Sequence, residues 1–142
     1  MTLKQPVHGT GVALFGPSGW SGVLLLGSPG VGKSDLALRL LAEGARLVAD
    51  DATLVWAKDG ALRLACPETI AGRIEVRGLG IVGAPTRPIA TLRLVVQCLD
   101  EAPERLPERE TWRHAGLDVP QVRLNARAPS ATAVVREALA WL

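Results

Sequence analysis

Apolar positions in this chain fall mostly into short runs closed by glycine, and two stretches show helical spacing. Residues 11–15 and 22–26 are apolar runs on either side of Gly16-Pro17-Ser18-Gly19, which predicts two strands joined by a turn. Residues 35–43 place Leu36, Leu40 and Leu41 on one helical face, and Gly44 stands where a helix usually stops. Residues 46–49 predict a strand that runs into Asp50-Asp51. Residues 53–57 and 61–65 flank Asp59-Gly60, a hairpin-turn dipeptide. Residues 74–77 lie between glycines and predict a further strand, and the β-branched, leucine-rich run 91–98 predicts a buried one. From 100 to 120 the composition turns polar and proline-bearing, which predicts a long surface loop with at most one helical turn. Residues 122–124 predict a last short strand. A terminal helix is predicted over 130–142, with Val134, Val135, Ala138, Leu139 and Leu142 on one face and Ser130 as its cap. There is no internal repeat and no low-complexity tract. The expectation is one α/β domain over residues 1–142 with a mixed β-sheet.

Composition narrows the function classes. A chain of 142 residues with 48% hydrophobic and 21% charged residues can bury a core and is not disordered. A net charge of +2 gives no ground for a nucleic-acid surface. The apolar run Val23-Leu24-Leu25-Leu26 is far short of the roughly 18–20 residues of a membrane span. The N-terminal stretch carries Lys4 with no apolar segment behind it, so no signal peptide is expected. Cys66 and Cys98 form no CxxC pair and read as small buried hydrophobes. Together these predict a cytoplasmic protein with neither nucleic acid nor membrane as partner.

The strongest chemical signal is Gly27-Ser28-Pro29-Gly30-Val31-Gly32-Lys33-Ser34, a complete G-x-x-x-x-G-K-[ST] P-loop (Walker A) pattern. An apolar strand is predicted before it and an amphipathic helix after it. The glycines let the backbone curl so that N–H groups converge on phosphate oxygens. The helix presents its positive end to the same phosphates. Lys33 can reach the β- and γ-phosphates of ATP, and the Ser34 hydroxyl can bind Mg²⁺. A glycine-rich turn that binds nothing is the competing reading, and the flanking elements argue against it.

Three weaker features accompany it. Asp50-Asp51 stands at the C-terminal end of a predicted strand, where α/β sheets place ligands. Alternation on a strand points the two side chains to opposite faces. One carboxylate there could hold Mg²⁺ or take a proton from an attacking hydroxyl, and a solvated acidic turn is the bland alternative. Glu75 and Arg77, two apart, share a strand face. They suit Mg²⁺ and phosphate, or equally an exposed ion pair worth little. His8 and His114 alone carry no functional reading.

His8-Gly9, the P-loop, Leu47-Val48-Ala49-Asp50-Asp51 and Glu75-Val76-Arg77-Gly78-Leu79-Gly80-Ile81 occur here in one order. In that combination the chain resembles the catalytic domain of HPr kinase/phosphorylase, a bacterial family with a PEP carboxykinase-like P-loop fold. The Glu-Val-Arg-Gly-Leu-Gly-Ile segment is the specific part, and the clear resemblance covers residues 7–82. Arg93-Leu94-Val95-Val96 and Glu104-Arg105-Leu106-Pro107-Glu108 also look like a short form of the family, expected to lack the N-terminal domain of longer members. The resemblance implies a protein-serine kinase that uses ATP to phosphorylate HPr, the phosphocarrier of the sugar phosphotransferase system. It implies that residues 27–34 hold the ATP phosphates with Lys33 on the transferred one. It implies Ser34 and Glu75 as Mg²⁺ ligands and Asp51 as proton acceptor, supported by Asp50. It makes His8 part of the active site and sets Arg77 on the phosphoryl group. Assembly into a hexamer through the catalytic domains is also implied.

One segment departs from the family. Longer members carry a proline-glycine-arginine-asparagine loop before the last helix, associated with the reverse, dephosphorylating reaction. Here the stretch reads Val122-Arg123-Leu124-Asn125-Ala126-Arg127-Ala128-Pro129. Without the residues that would fix the loop, Arg123 and Arg127 are expected to be loosely held and reverse phosphorolysis to be weak or absent. Arg113 is a further, displaced match to a family arginine. Two other readings stay open: a P-loop kinase for a different acceptor, and a non-catalytic ATP-binding module that signals through a partner.

Overall fold

The computed structural model describes residues 3–68 and 71–142. Met1 and Thr2, in the N-terminal stretch read for a leader, and Thr69-Ile70, within the family-like span, lie outside them. The elements are β1 (Gln5–His8), β2 (Thr10–Gly16), β3 (Gly19–Leu26), α1 (Lys33–Ala42), β4 (Arg46–Ala49), β5 (Ala52–Lys58) and β6 (Ala61–Ala65). They continue with β7 (Arg73–Val76), β8 (Gly80–Gly83), β9 (Ile89–Leu99), β10 (Glu110–His114), β11 (Leu117–Asn125) and α2 (Ala131–Trp141). The main sheet is mixed, in the order β1-β5-β6-β9-β3-β2-β4. β3 and β11 run parallel to β9, and the other pairings are antiparallel. β7 and β8 form a separate hairpin.

The eleven-residue β9 organises this sheet. Along one edge it pairs with β3. Along the other its first residues pair with β6 and its last with β11, from Val95 opposite Gln121 to Leu99 opposite Asn125. Its Leu94-Val95-Val96 run is buried on both faces, as expected for a central strand. Val12, Leu14, Val23, Leu25, Leu94 and Val96 face α1 and α2. Ala13, Leu24 and Val95 face the other way, where they pack with Val55, Leu62 and Leu64 of the β5–β6 hairpin. α1 buries Leu36 and Leu40 completely, each worth about 1.5–3 kcal/mol over exposure.

Two expectations are corrected. Residues 100–120 are not one long loop. Residues 100–109 lack a strand, and after them β10 and the first half of β11 form a hairpin. Its turn is Ala115-Gly116, both at positive φ (48° and 80°), which matches the right-handed twist of the flanking strands. Pro120 is tolerated within β11 because it pairs with Thr111 of β10 only, one residue before the ladder to β9 begins. The short strand foreseen at 122–124 is the end of this nine-residue element. At the terminal helix, Ser130 stands at the cap position without a side-chain hydrogen bond. Val135 and Ala138 are buried with Ala131, whereas Val134 and Leu142 are exposed.

Candidate active site at the glycine-rich loop

Four chain segments end at one cleft of about 520 Å³. β3 stops at Leu26 and delivers the loop 27–32, and α1 begins at Lys33. β4 stops at Ala49 and delivers Asp50 and Asp51. The β7–β8 hairpin, anchored by buried Ile74, contributes Glu75, Val76 and Arg77. The turn before α2 contributes Arg127.

The loop needs glycine where it leaves β3. Gly27 has φ +146°, and a Cβ there would lie 2.7 Å from the Cys98 carbonyl oxygen and 2.9 Å from Val31 Cγ1. Backbone atoms of a central strand cannot give way cheaply. Gly27→Ala is therefore expected to lower stability by about 1–3 kcal/mol and to displace the loop, as read from its urea midpoint and its ATP affinity. A parental midpoint with parental affinity would contradict this. Beneath the loop, burial pushes the Cys98 thiol up to about 12, so it is no nucleophile at neutral pH.

Lys33 is buried, and its Nζ donates to the carbonyl oxygens of Gly27 (2.6 Å) and Ser28 (3.2 Å). The ammonium thus sits inside the curl of the loop. The first-turn N–H groups of α1 have no carbonyl acceptors within the helix and make its N-terminus an anion-favouring end.

Asp50 is the hub of the carboxylate side. Its Oδ1 accepts from Ser34 Oγ (2.7 Å) and from Thr10 Oγ1 (3.1 Å), and its Oδ2 accepts from the Glu75 backbone N–H (3.1 Å). These bonds tie α1, β2 and β7 to one side chain. Asp51 follows at φ +66°, a left-handed conformation that aspartate tolerates better than most residues. Its carbonyl accepts from Gly9 N–H (2.9 Å), and its Oδ1 lies 3.6 Å from His8 Nε2 at the end of β1. The two carboxylates do not obey strand alternation. β4 has already ended, and the positive φ at Asp51 brings both to the same cleft.

Of the residues singled out in the sequence, Pro29, Gly30, Gly32, Lys33, Ser34, Asp50, Asp51, Glu75 and Arg77 line this cleft directly. His8 reaches it through Asp51. Ser28 and Val31 face an adjoining 220 Å³ cleft with Cys98, Leu99, Asp100 and Arg127. His114 stacks on Trp112 and Arg113 pairs with Asp118, away from the cleft. Thr10 escaped the sequence reading because nothing marks a strand threonine as a carboxylate partner until β2 and β4 are paired.

The expectation of a loose C-terminal loop is also corrected. Arg123 forks onto Glu110 (2.9 and 3.1 Å), turned away from the site. Arg127 lies at the loop instead, donating to the Gly30 carbonyl. Its own turn is held by Asn125, whose Oδ1 accepts from Arg127 N–H and whose carbonyl accepts from Ala128 N–H.

A second cleft of about 540 Å³ lies by the β5–β6 and β10–β11 turns, lined by Lys4, Trp56, Lys58 and Leu117 among others. It offers neither a helix N-terminus nor a hydroxyl–carboxylate pair, so the chemistry favours the first. Among the described residues no helix is long and apolar enough to cross a membrane.

The profile of the HPr Serine kinase C-terminal domain family matches residues 1–141. The HPr kinase/phosphorylase of Brevibacillus brevis is 33% identical over 147 residues, covering 94% of this chain and 46% of that protein. The HPr kinase/phosphorylase of Streptococcus thermophilus is 35% identical over 151 residues, covering 96% and 47%. The chain thus spans about half the length of the curated relatives it matches. The solved structure of the HPr(Ser) kinase/phosphatase from Coxiella burnetii matches with a TM-score of 0.77 at 24% identity, covering 96% of this chain and 88% of that one. Fold, motif order and a profile match over nearly the whole length coincide, and the chain belongs to the HPr serine kinase C-terminal domain family.

Proposed function

We propose that this chain is a single P-loop kinase domain that transfers the γ-phosphoryl group of ATP to a serine of the phosphocarrier HPr. The observation that carries the proposal is the convergence, in one cleft, of a lysine-bearing glycine loop, a hydroxyl–carboxylate pair and a free carboxylate beside a histidine. Phosphoryl transfer needs positioning, counter-charge and an acceptor for the hydroxyl proton. The loop amides and Lys33 hold the phosphates once Lys33 exchanges its carbonyl partners for phosphate oxygens. The serine oxygen bonds to the γ-phosphorus as the bond to the β–γ bridging oxygen breaks, and the hydroxyl proton passes to Asp51. His8 orients Asp51, and Arg77 faces the charge on the transferred group.

The site's chemistry fits Mg²⁺. Ser34 Oγ bonds Asp50 in the cleft, and Glu75, whose backbone N–H bonds the other Asp50 oxygen, lines the same cleft. Mg²⁺ takes one or two carboxylates and fills its other positions with waters and phosphates. Ser34 and Glu75, with Asp50 behind Ser34, would hold the ion, and when bound it supplies positive charge against the phosphates. Asp50, which accepts from Ser34 Oγ at 2.7 Å, would orient that hydroxyl toward the ion as well as support Asp51.

The family reading also supports a cytoplasmic homo-oligomer, a hexamer in the first instance. Reverse phosphorolysis is expected to be weak or absent, and any that occurs would draw on one arginine at the loop, Arg127, rather than two. Single-turnover incubation with γ-labelled ATP separates the readings. Label moving to HPr supports the proposal, label moving only to another acceptor supports a different kinase, and bound but uncleaved ATP supports a sensor.

A further inference from the structure

We propose that Arg39 is a positioning residue: it clamps the turn before α2 so that Arg127 is delivered to the phosphate-binding loop. The inference rests on the nucleotide reading of the cleft. Arg39 lies in the last turn of α1, the helix that begins with Lys33 and Ser34. Its Nη1 donates to the Ala128 carbonyl (3.2 Å) and its Nη2 to the Ala126 carbonyl. Its Nε faces Asp35 Oδ2 at 3.2 Å. The guanidinium therefore grips the carbonyls on both sides of Arg127, with Asp35 beside it as an ion-pair partner one helical turn earlier.

Arg127 has little freedom left. Ala126 is fully buried. The Arg127 N–H is held by Asn125 Oδ1 (2.9 Å), and its guanidinium donates to the Gly30 carbonyl. Its side chain lies along the loop so closely that a Cβ at Gly32 would come within 3.5 Å of Arg127 Cγ. Both cations of the loop, Lys33 and Arg127, are thus referenced to α1, one by covalent continuity and one through Arg39. A planar fork is needed to span two carbonyls, so lysine is not an equivalent replacement.

The test uses Arg39→Ala, Arg39→Lys, Arg127→Ala and the double variant Arg39→Ala/Arg127→Ala in the full chain. Amide hydrogen exchange of residues 125–131 is followed without nucleotide, and Mg-ATP affinity is measured by titration calorimetry. Arg127→Ala should weaken affinity about 10-fold, the size of one charge-assisted hydrogen bond. Arg39→Ala should speed exchange at Arg127 and Ala128 and weaken affinity by a similar factor. The double variant should be no more than about twofold weaker than either single variant, because both remove the same contact. Arg39→Lys should fall between parent and Arg39→Ala in both readouts, and it carries the comparison if the alanine variant does not fold. Unchanged exchange, or losses that multiply in the double variant, would overturn the proposal. Failure of the parent chain to bind Mg-ATP would instead overturn the nucleotide reading, while the exchange result still decides the clamp.

Discussion

Asp51→Asn is expected to reduce phosphorylation by about 10²- to 10⁴-fold, the usual contribution of a general base, while ATP affinity and thermal midpoint stay near the parent's. The geometry sets this apart from Asp50→Asn. Asp51 is exposed, held only by its backbone and by His8 at 3.6 Å, so its oxygens are available to an incoming hydroxyl. Asp50 already accepts three hydrogen bonds. An amide in its place can accept on one oxygen only and turns its NH₂ toward a donor, at a cost of about 1–3 kcal/mol. Asp50→Asn should therefore lower stability and loosen Mg-ATP together, because the NH₂ opposes the Glu75 N–H and Ser34 is left with a neutral oxygen in place of a carboxylate. Kinetics, calorimetry and melting of the two variants side by side check the assignment. A large rate loss confined to Asp50→Asn would show that the roles of the two carboxylates are reversed.

Lys33→Ala is expected to abolish transfer and to weaken ATP binding by about 10- to 100-fold, the range for charge-assisted hydrogen bonds to phosphate. The lysine is buried in the loop and already bonded to two of its carbonyls. Alanine also removes a structural donor, so Lys33→Met, which keeps the apolar stem, is the necessary companion. If the methionine variant melts like the parent yet neither binds ATP nor transfers phosphate, the missing charge is responsible. Turnover at the parental rate in either variant would end the P-loop reading.

Local signals in the sequence were enough for most elements that position the site. The loop 27–34 with its entering strand and leaving helix, the strand that ends in Asp50-Asp51, and the Asp59-Gly60 hairpin all have short-range causes: apolar periodicity and turn chemistry. What was not legible depends on pairing between distant strands. β1 is a polar edge strand whose only apolar residue is Val7, so no pattern marks it, yet it carries His8 to Asp51. The β10–β11 hairpin was hidden by Pro120, which reads as a strand breaker until the register shows that its missing N–H faces no partner in β9. The alternation rule failed at Asp50-Asp51 because the strand stops one residue earlier and the backbone turns left-handed. Arg127 reads as loosely held from the sequence, because the proline-glycine pair that precedes the family's loop arginine is missing here. The restraint comes from Arg39, some 88 positions away in the chain (127 − 39), which no local pattern could reveal.

Incubation of the purified chain with Mg-ATP and HPr, followed by intact-mass measurement of HPr, tests the central claim most directly. The proposal predicts that HPr gains the mass of one phosphoryl group, and that the gain vanishes with Lys33→Met and falls sharply with Asp51→Asn. HPr of unchanged mass, under conditions where the chain demonstrably binds Mg-ATP, would contradict it.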